Sequence, residues 1–272
     1  LKKALDQAKG SGINFVIGLG DWSAVGTNSD LKLAKNVFDK SGLKYYITPG
    51  DHDLWDSRNR GQDALFNYHD IFGEPSHSFD ASGVVIDIVD NSDIYLGISD
   101  SDWKLLQDDL SQCQKRGPVT TFTPTPSINS GQAVLRVYPE RSRRAVGNLS
   151  RTATPNLCFV FSHKTPFHPQ SSHVMGSENE KVAEQAKRYM ELLEENRVDG
   201  FFSGDLHFFA EYSSYAPNGG FGRSTSGGKS SSSVRITTIG AVSNDRNFQG
   251  PRYAVVTVYD DYSWEVEDVE IR

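Results

Sequence analysis

An α/β fold with a mixed sheet, or two stacked sheets, is what this sequence predicts. Two observations carry that reading. Short β-like runs alternate with helical patterns along most of the chain, the signature of strand and helix layers. A hairpin-like pair in the middle and a β-rich C-terminus argue against a purely parallel sheet.

Taken in order, residues 13–17 (INFVI) form an apolar strand, and Leu31, Ala34, Val37 and Phe38 then recur at helical spacing. Residues 45–47 are a second strand, and Ala64, Leu65 and Tyr68 share a helix. Residues 84–89 and 94–98 read as paired strands turning at Asn91-Ser92. Trp103, Leu106 and Leu110 suit a helix capped by Ser99 or Ser101. Residues 157–161 are a third buried strand, 181–196 an amphipathic helix, and 200–203 a fourth strand. Phe208 and Phe209 are read as core strand residues, and 235–239, 253–258 and 264–269 close the chain as β-structure.

At 272 residues the chain can bury a full core, and 37% hydrophobic against 23% charged residues is a globular balance. No run of eighteen apolar residues is present, so no membrane segment is predicted. A net charge of -7 argues against a general polyanion-binding surface. Cys113 and Cys158 are too few for a disulfide framework, and both read as ordinary thiols. Leu1 opens the chain without a charged start or apolar stretch, so no signal peptide is read and the compartment stays open.

Two stretches interrupt a single predicted domain spanning 1–272. Residues 115–155 hold seven basic side chains and one acid among Pro, Ser and Thr. Residues 217–233 are Gly- and Ser-rich. Both read as disordered insertions. Arg141, Arg143 and Arg144 invite a nucleic-acid reading. Phe122 and Tyr138 are the only aromatic residues there to stack bases, so a nucleic-acid partner is not predicted. No protein partner is predicted either.

Four strands stop alike. They run into Gly20-Asp21-Trp22, Gly50-Asp51-His52-Asp53, Ser162-His163 and Gly204-Asp205-Leu206-His207. Ligands of α/β folds sit beyond the carboxyl ends of the strands. Carboxylate with imidazole is a donor set for divalent metals. Three aspartates brought together without a cation would repel one another and force protonation, which a bound cation relieves. Lys164 is read as solvated and His173 as surface. His168 could line the pocket or end a loop, and His69 and His77 are read as structural.

The order GDW at 20–22, GDHD at 50–53, FSHKTPFHP at 161–169 and SGDLHFF at 203–209 resembles the calcineurin-like metallophosphoesterases. Residues 77–99 and 100–110 resemble that family's central strands and the helix after them. The resemblance implies a two-sheet β-sandwich flanked by helices, in four αββα layers. It also implies two divalent metal ions of the Mn, Fe or Zn type, and hydrolysis of a phosphate mono- or diester by a metal-activated water. The harder oxygen donors of Asp51 and Asp205 shift the preference weakly toward manganese. Asp21 corresponds to the bridging carboxylate. Asp51 stands at a metal-ligand position where the family usually has Asn, and Asp205 at one where it usually has His. His163 and His207 correspond to further metal ligands. His52 corresponds to the histidine that protonates the leaving group, and Asp53 would orient its imidazole. An Asp-x-His motif on an earlier strand has no counterpart, which implies a missing first strand, a truncated N-terminus and an incomplete first metal site. A catalytically degenerate homologue, binding phosphate or a protein partner through the same pocket, is the alternative.

Overall fold

The computed structural model describes residues 1–113, 136–137, 157–214, 233–244 and 246–272. The two expected insertions lie almost wholly outside these residues. Helix α1 (Lys2–Lys9) precedes β1 (Val16–Leu19), α2 (Asn28–Ser41) and β2 (Tyr45–Thr48). A 3₁₀ turn (His52–Leu54), α3 (Trp55–Asn59) and α4 (Phe66–Phe72) lead to β3 (His77–Ala81), β4 (Val84–Val89) and α5 (Asp100–Cys113). Then follow β5 (Arg136–Val137), β6 (Leu157–Ser162), α6 (Glu180–Glu195), β7 (Gly200–Ser203), β8 (Ala210–Ser213), β9 (Arg235–Thr238), β10 (Arg252–Val258) and β11 (Trp264–Glu270).

Six strands form the central sheet in the order β3-β4-β6-β7-β9-β8, with β4, β6, β7 and β9 mutually parallel. The parallel strands β4, β6 and β7 read as near-continuous apolar runs because both of their faces are covered. Alternate residues serve opposite layers. Cys158, Val160 and Phe201 pack with Leu106, Leu110, Val182, Tyr189 and Leu193 of α5 and α6. Phe159, Phe161 and Phe202 face the other way, toward Phe15, Ile17, Leu19, Val256 and Trp264. Beyond them α1 packs Ala4 on Tyr253 and Val255, while Leu5 joins Phe38 of α2 and Ile47 of β2. The layers are therefore helix, six-stranded sheet, a second β layer and helix. That second layer is divided between the parallel pair β1-β2 and the sheet β11-β10-β5.

Three local expectations are corrected. Residues 94–98 are not a strand: Oδ1 of Asp93 accepts the N–H groups of Tyr95 and Leu96 and closes a turn there. The antiparallel partner of β4 is β3 instead, joined through Ser82 and Gly83. Cys113 and Cys158 are not thiols but a disulfide, which ties the end of α5 to β6. Phe208 and Phe209 precede β8 and lie outside any strand. Among the described residues, no helix is long and apolar enough to cross a membrane.

Candidate metal centre

The site lies where β1, β2, β6 and β7 end. Two glycines let the first two loops meet. A side chain at Gly50 would place its Cβ 2.1 Å from Oδ1 of Asp21, and one at Gly20 would place it 2.5 Å from the backbone nitrogen of Gly50. Gly before Asp is thus needed for backbone approach as well as for the turn. Asp21, Asp205 and His207 all hold left-handed backbone, at φ 58°, 60° and 61°. Each costs on the order of 1 kcal/mol for a residue with a Cβ, so strain is concentrated at this site.

One oxygen or nitrogen from each of Asp21, Asp51, His163 and Asp205 lies within 4.8 Å of the others. His163 is buried, and its Nδ1 sits 2.6 Å from the carbonyl of Leu19. That carbonyl can only accept, so Nδ1 carries the proton and Nε2 faces the carboxylates. Nε2 is 3.2 Å from Asp51 Oδ1 and 3.7 Å from oxygens of both Asp21 and Asp205. Burial alone would lower the His163 pKa, but the carboxylates outweigh it and push it up to about 10. Burial would raise Asp51, yet the hydrogen bond to His163 and the charge of Lys164 bring it down to about 2. Asp205 is likewise held well below the usual carboxylate range, against its burial, by His173, His163 and Lys164. Asp51 and Asp205 are therefore charged, and Asp21 converges on the same point. The donor set suits a divalent ion: carboxylate oxygens, plus an imidazole whose second nitrogen is fixed by a backbone carbonyl.

His207 is outside this group of four. It lines the same cavity of about 590 Å³ as Asp21, His52, His163 and Asp205. That cavity runs from the site between β1 and β10 to α1. His52 places Nδ1 2.9 Å from the carbonyl of Ala24 and lies tilted against Trp55, with ring centres 4.0 Å apart. Its backbone N–H also donates to Asp21 Oδ1. The orienting partner expected in Asp53 is thus supplied by Ala24. Asp53 is fully buried and accepts the backbone N–H groups of Trp22, Ser23 and Gly50, stapling the first two loops together.

Two residues read as bland are part of the site. Lys164 is 2% exposed, with Nζ 3.0 Å from Asp205 Oδ2 and 3.4 Å from Asp51 Oδ1. His173 places Nε2 3.3 Å from Asp205 Oδ1. The one available sequence signal was their position just after His163, inside a loop that three acids would need to balance. His168 ends its loop: Nδ1 accepts the N–H groups of Gln170 and Ser171, and the ring meets Phe208 and Tyr212 edge-on.

A model of the calcineurin-like phosphoesterase family matches residues 1–209, and the chain belongs to that family. Among solved structures, the chain is similar to a purple acid phosphatase, PPD1, from yellow lupin (Lupinus luteus) seeds. The two are 11% identical, with a TM-score of 0.47, over 77% of this chain and 34% of that one. It is also similar to a dimetal phosphatase from Danio rerio, at 14% identity and a TM-score of 0.48, over 99% of this chain and 87% of that one. The chain therefore spans about a third of the lupin protein's length. No curated protein matches it.

Proposed function

We propose that this chain hydrolyses a phosphate ester with the help of divalent metal. The observation that carries the reading is the convergence of Asp21, Asp51, His163 and Asp205 on one point at the strand ends. A divalent ion held there supplies Lewis acidity, polarising phosphoryl oxygens and making water a competent nucleophile near neutral pH. The protein's own part is to hold the donors. Asp21 is fixed by the His52 N–H, His163 by Leu19, and the approach of the two loops by Gly20 and Gly50. His207, with Asp21, is proposed as a ligand of a second ion.

His52 is proposed as the acid for the leaving group. It lines the cavity, and Ala24 holds its Nδ1–H, which leaves Nε2 as the atom that gains and gives the proton. Asp205 and His207, both with left-handed backbone, line the same cavity. Manganese is the favoured metal, because three carboxylates against one imidazole is a hard donor set.

The test is hydrolysis of a phosphate monoester and a diester by the full chain with added manganese, beside Asp21→Ala. A loss of about a hundredfold or more in Asp21→Ala is expected, in line with removal of a central electrostatic group. Equal rates in the two proteins would place the chemistry elsewhere. A degenerate, phosphate-binding homologue is the second reading. The Lys164 ammonium among the carboxylates favours it, because it already neutralises part of the charge a metal would. Inorganic phosphate binding without turnover of either ester would select that reading.

A further inference from the structure

A buried lysine against two prospective metal ligands has a direct consequence for metal binding. Its backbone is clamped from both sides: Lys164 N–H donates to Asn91 Oδ1 at 2.9 Å, and its carbonyl accepts from Asn91 Nδ2 at 2.7 Å. Asn91 itself has no exposed surface. The ammonium is thus delivered into the carboxylate group by a fixed backbone rather than left to wander.

The two carboxylates that Lys164 touches are Asp51 and Asp205. These are the two positions at which this sequence carries an acid where the family resemblance leads one to expect a neutral Asn or His. Two negative charges have been added and one buried positive charge stands against both. Lys164 bonds Oδ2 of Asp205, while Oδ1 faces His163 and His173. The ammonium engages one oxygen, and the other meets the rings of His173 and His163.

We propose that Lys164 is a built-in cation that competes with divalent metal for Asp51 and Asp205, and so sets how tightly this site holds its ion. This inference rests on the metal-centre reading above. In a poorly hydrated site, an ammonium beside a divalent ion repels it, and the repulsion falls off slowly with distance. Replacing the lysine by a neutral side chain therefore tightens metal binding. A lysine that only braced the loops would, when removed, loosen it.

The test is titration of the chelator-treated full chain with divalent manganese, followed by calorimetry and by melting temperature. The variants are Lys164→Met, Lys164→Gln and Lys164→Arg. Both neutral variants are expected to bind manganese about tenfold or more tightly than the parent. Manganese should raise their melting temperature further than it raises the parent's. Lys164→Arg, which keeps the charge, should return the affinity toward the parent value. Unchanged or weaker binding in Met and Gln variants that circular dichroism shows to be folded would overturn the proposal and make Lys164 a structural tie. If no variant and not the parent binds manganese, it is the metal-centre reading that fails.

Discussion

Gly50 shows how much a single atom decides at the residue scale. The loops carrying Asp21 and Asp51 touch through it, and any Cβ there would fall on the Asp21 carboxylate and backbone. Asp21 Oδ1 is held by the His52 N–H and the next atom is the Asp21 backbone nitrogen, so the loops must part. Gly50→Ala is expected to destabilise the fold by about 1–3 kcal/mol, the usual range for forced overpacking. It should weaken manganese binding as well. Chemical denaturation and metal titration of the same variant check both, and retention of parental metal affinity would show that the loops tolerate the shift. Asp53 works at the same scale in a different way. Three backbone N–H groups from two loops end on one buried carboxylate, so its contribution is to loop geometry.

At the scale of elements, α6 connects the far side of the central sheet to the loop that carries Lys164 and His173. It begins at Asn179, whose Oδ1 accepts the N–H groups of Lys181 and Val182. Its apolar face, with Val182, Ala186, Tyr189 and Leu193, is buried on β6 and β7. Gln185 on the same helix accepts from Ile98 N–H and donates to the Leu96 carbonyl, tying down the turn at 94–98. Loss of the cap in Asn179→Ala should cost about 1 kcal/mol in urea unfolding. Metal affinity should stay near the parent's, because the residues of the group of four lie on other segments. A large fall in affinity would mean that α6 positions the 163–178 loop more directly than its cap suggests.

For the molecule as a whole, charge and covalent linkage set stability. Asp51 titrates near 2 in the folded chain against 3.8 for a free side chain. A depressed acid stabilises the folded state above its unfolded pKa, and that contribution is lost as pH falls through its folded pKa. The Asp51 contribution is therefore full above about pH 5 and gone by about pH 1, and it amounts to roughly 2 kcal/mol. Metal-free protein should show this loss between about pH 5 and pH 1 in equilibrium unfolding. Asp51→Asn should show a shallower fall, and an equally steep one would assign the acid sensitivity to other carboxylates. The disulfide between Cys113 and Cys158 closes a loop with a sequence separation of 45. Loop-closure entropy gives it about 4 kcal/mol, within the range seen for such bridges. Reductant, or Cys113→Ser with Cys158→Ser, should lower the melting temperature by several degrees. No change would show that α5 holds to β6 by packing alone.

What the sequence determined by itself is what local pattern can encode. The buried strands at 157–161 and 200–203 were legible because apolar residues run unbroken where both sheet faces are covered. The helix at 181–196 was legible from its periodic face, and the four strand ends from Gly and Asp or His placed together. The strand expected at 94–98 failed because one carboxylate, Asp93, closes a turn that apolar content does not reveal. Only the tertiary structure could decide the rest. Cys113 meets Cys158 because α5 folds back over β6, and Lys164 is buried because Asn91, from the end of a different strand, grips its backbone. His173 reaches Asp205 across 32 positions of chain. In each case the partner lies far away in sequence, and its effect on charge, burial or bonding exists only once the sheets have brought the two together.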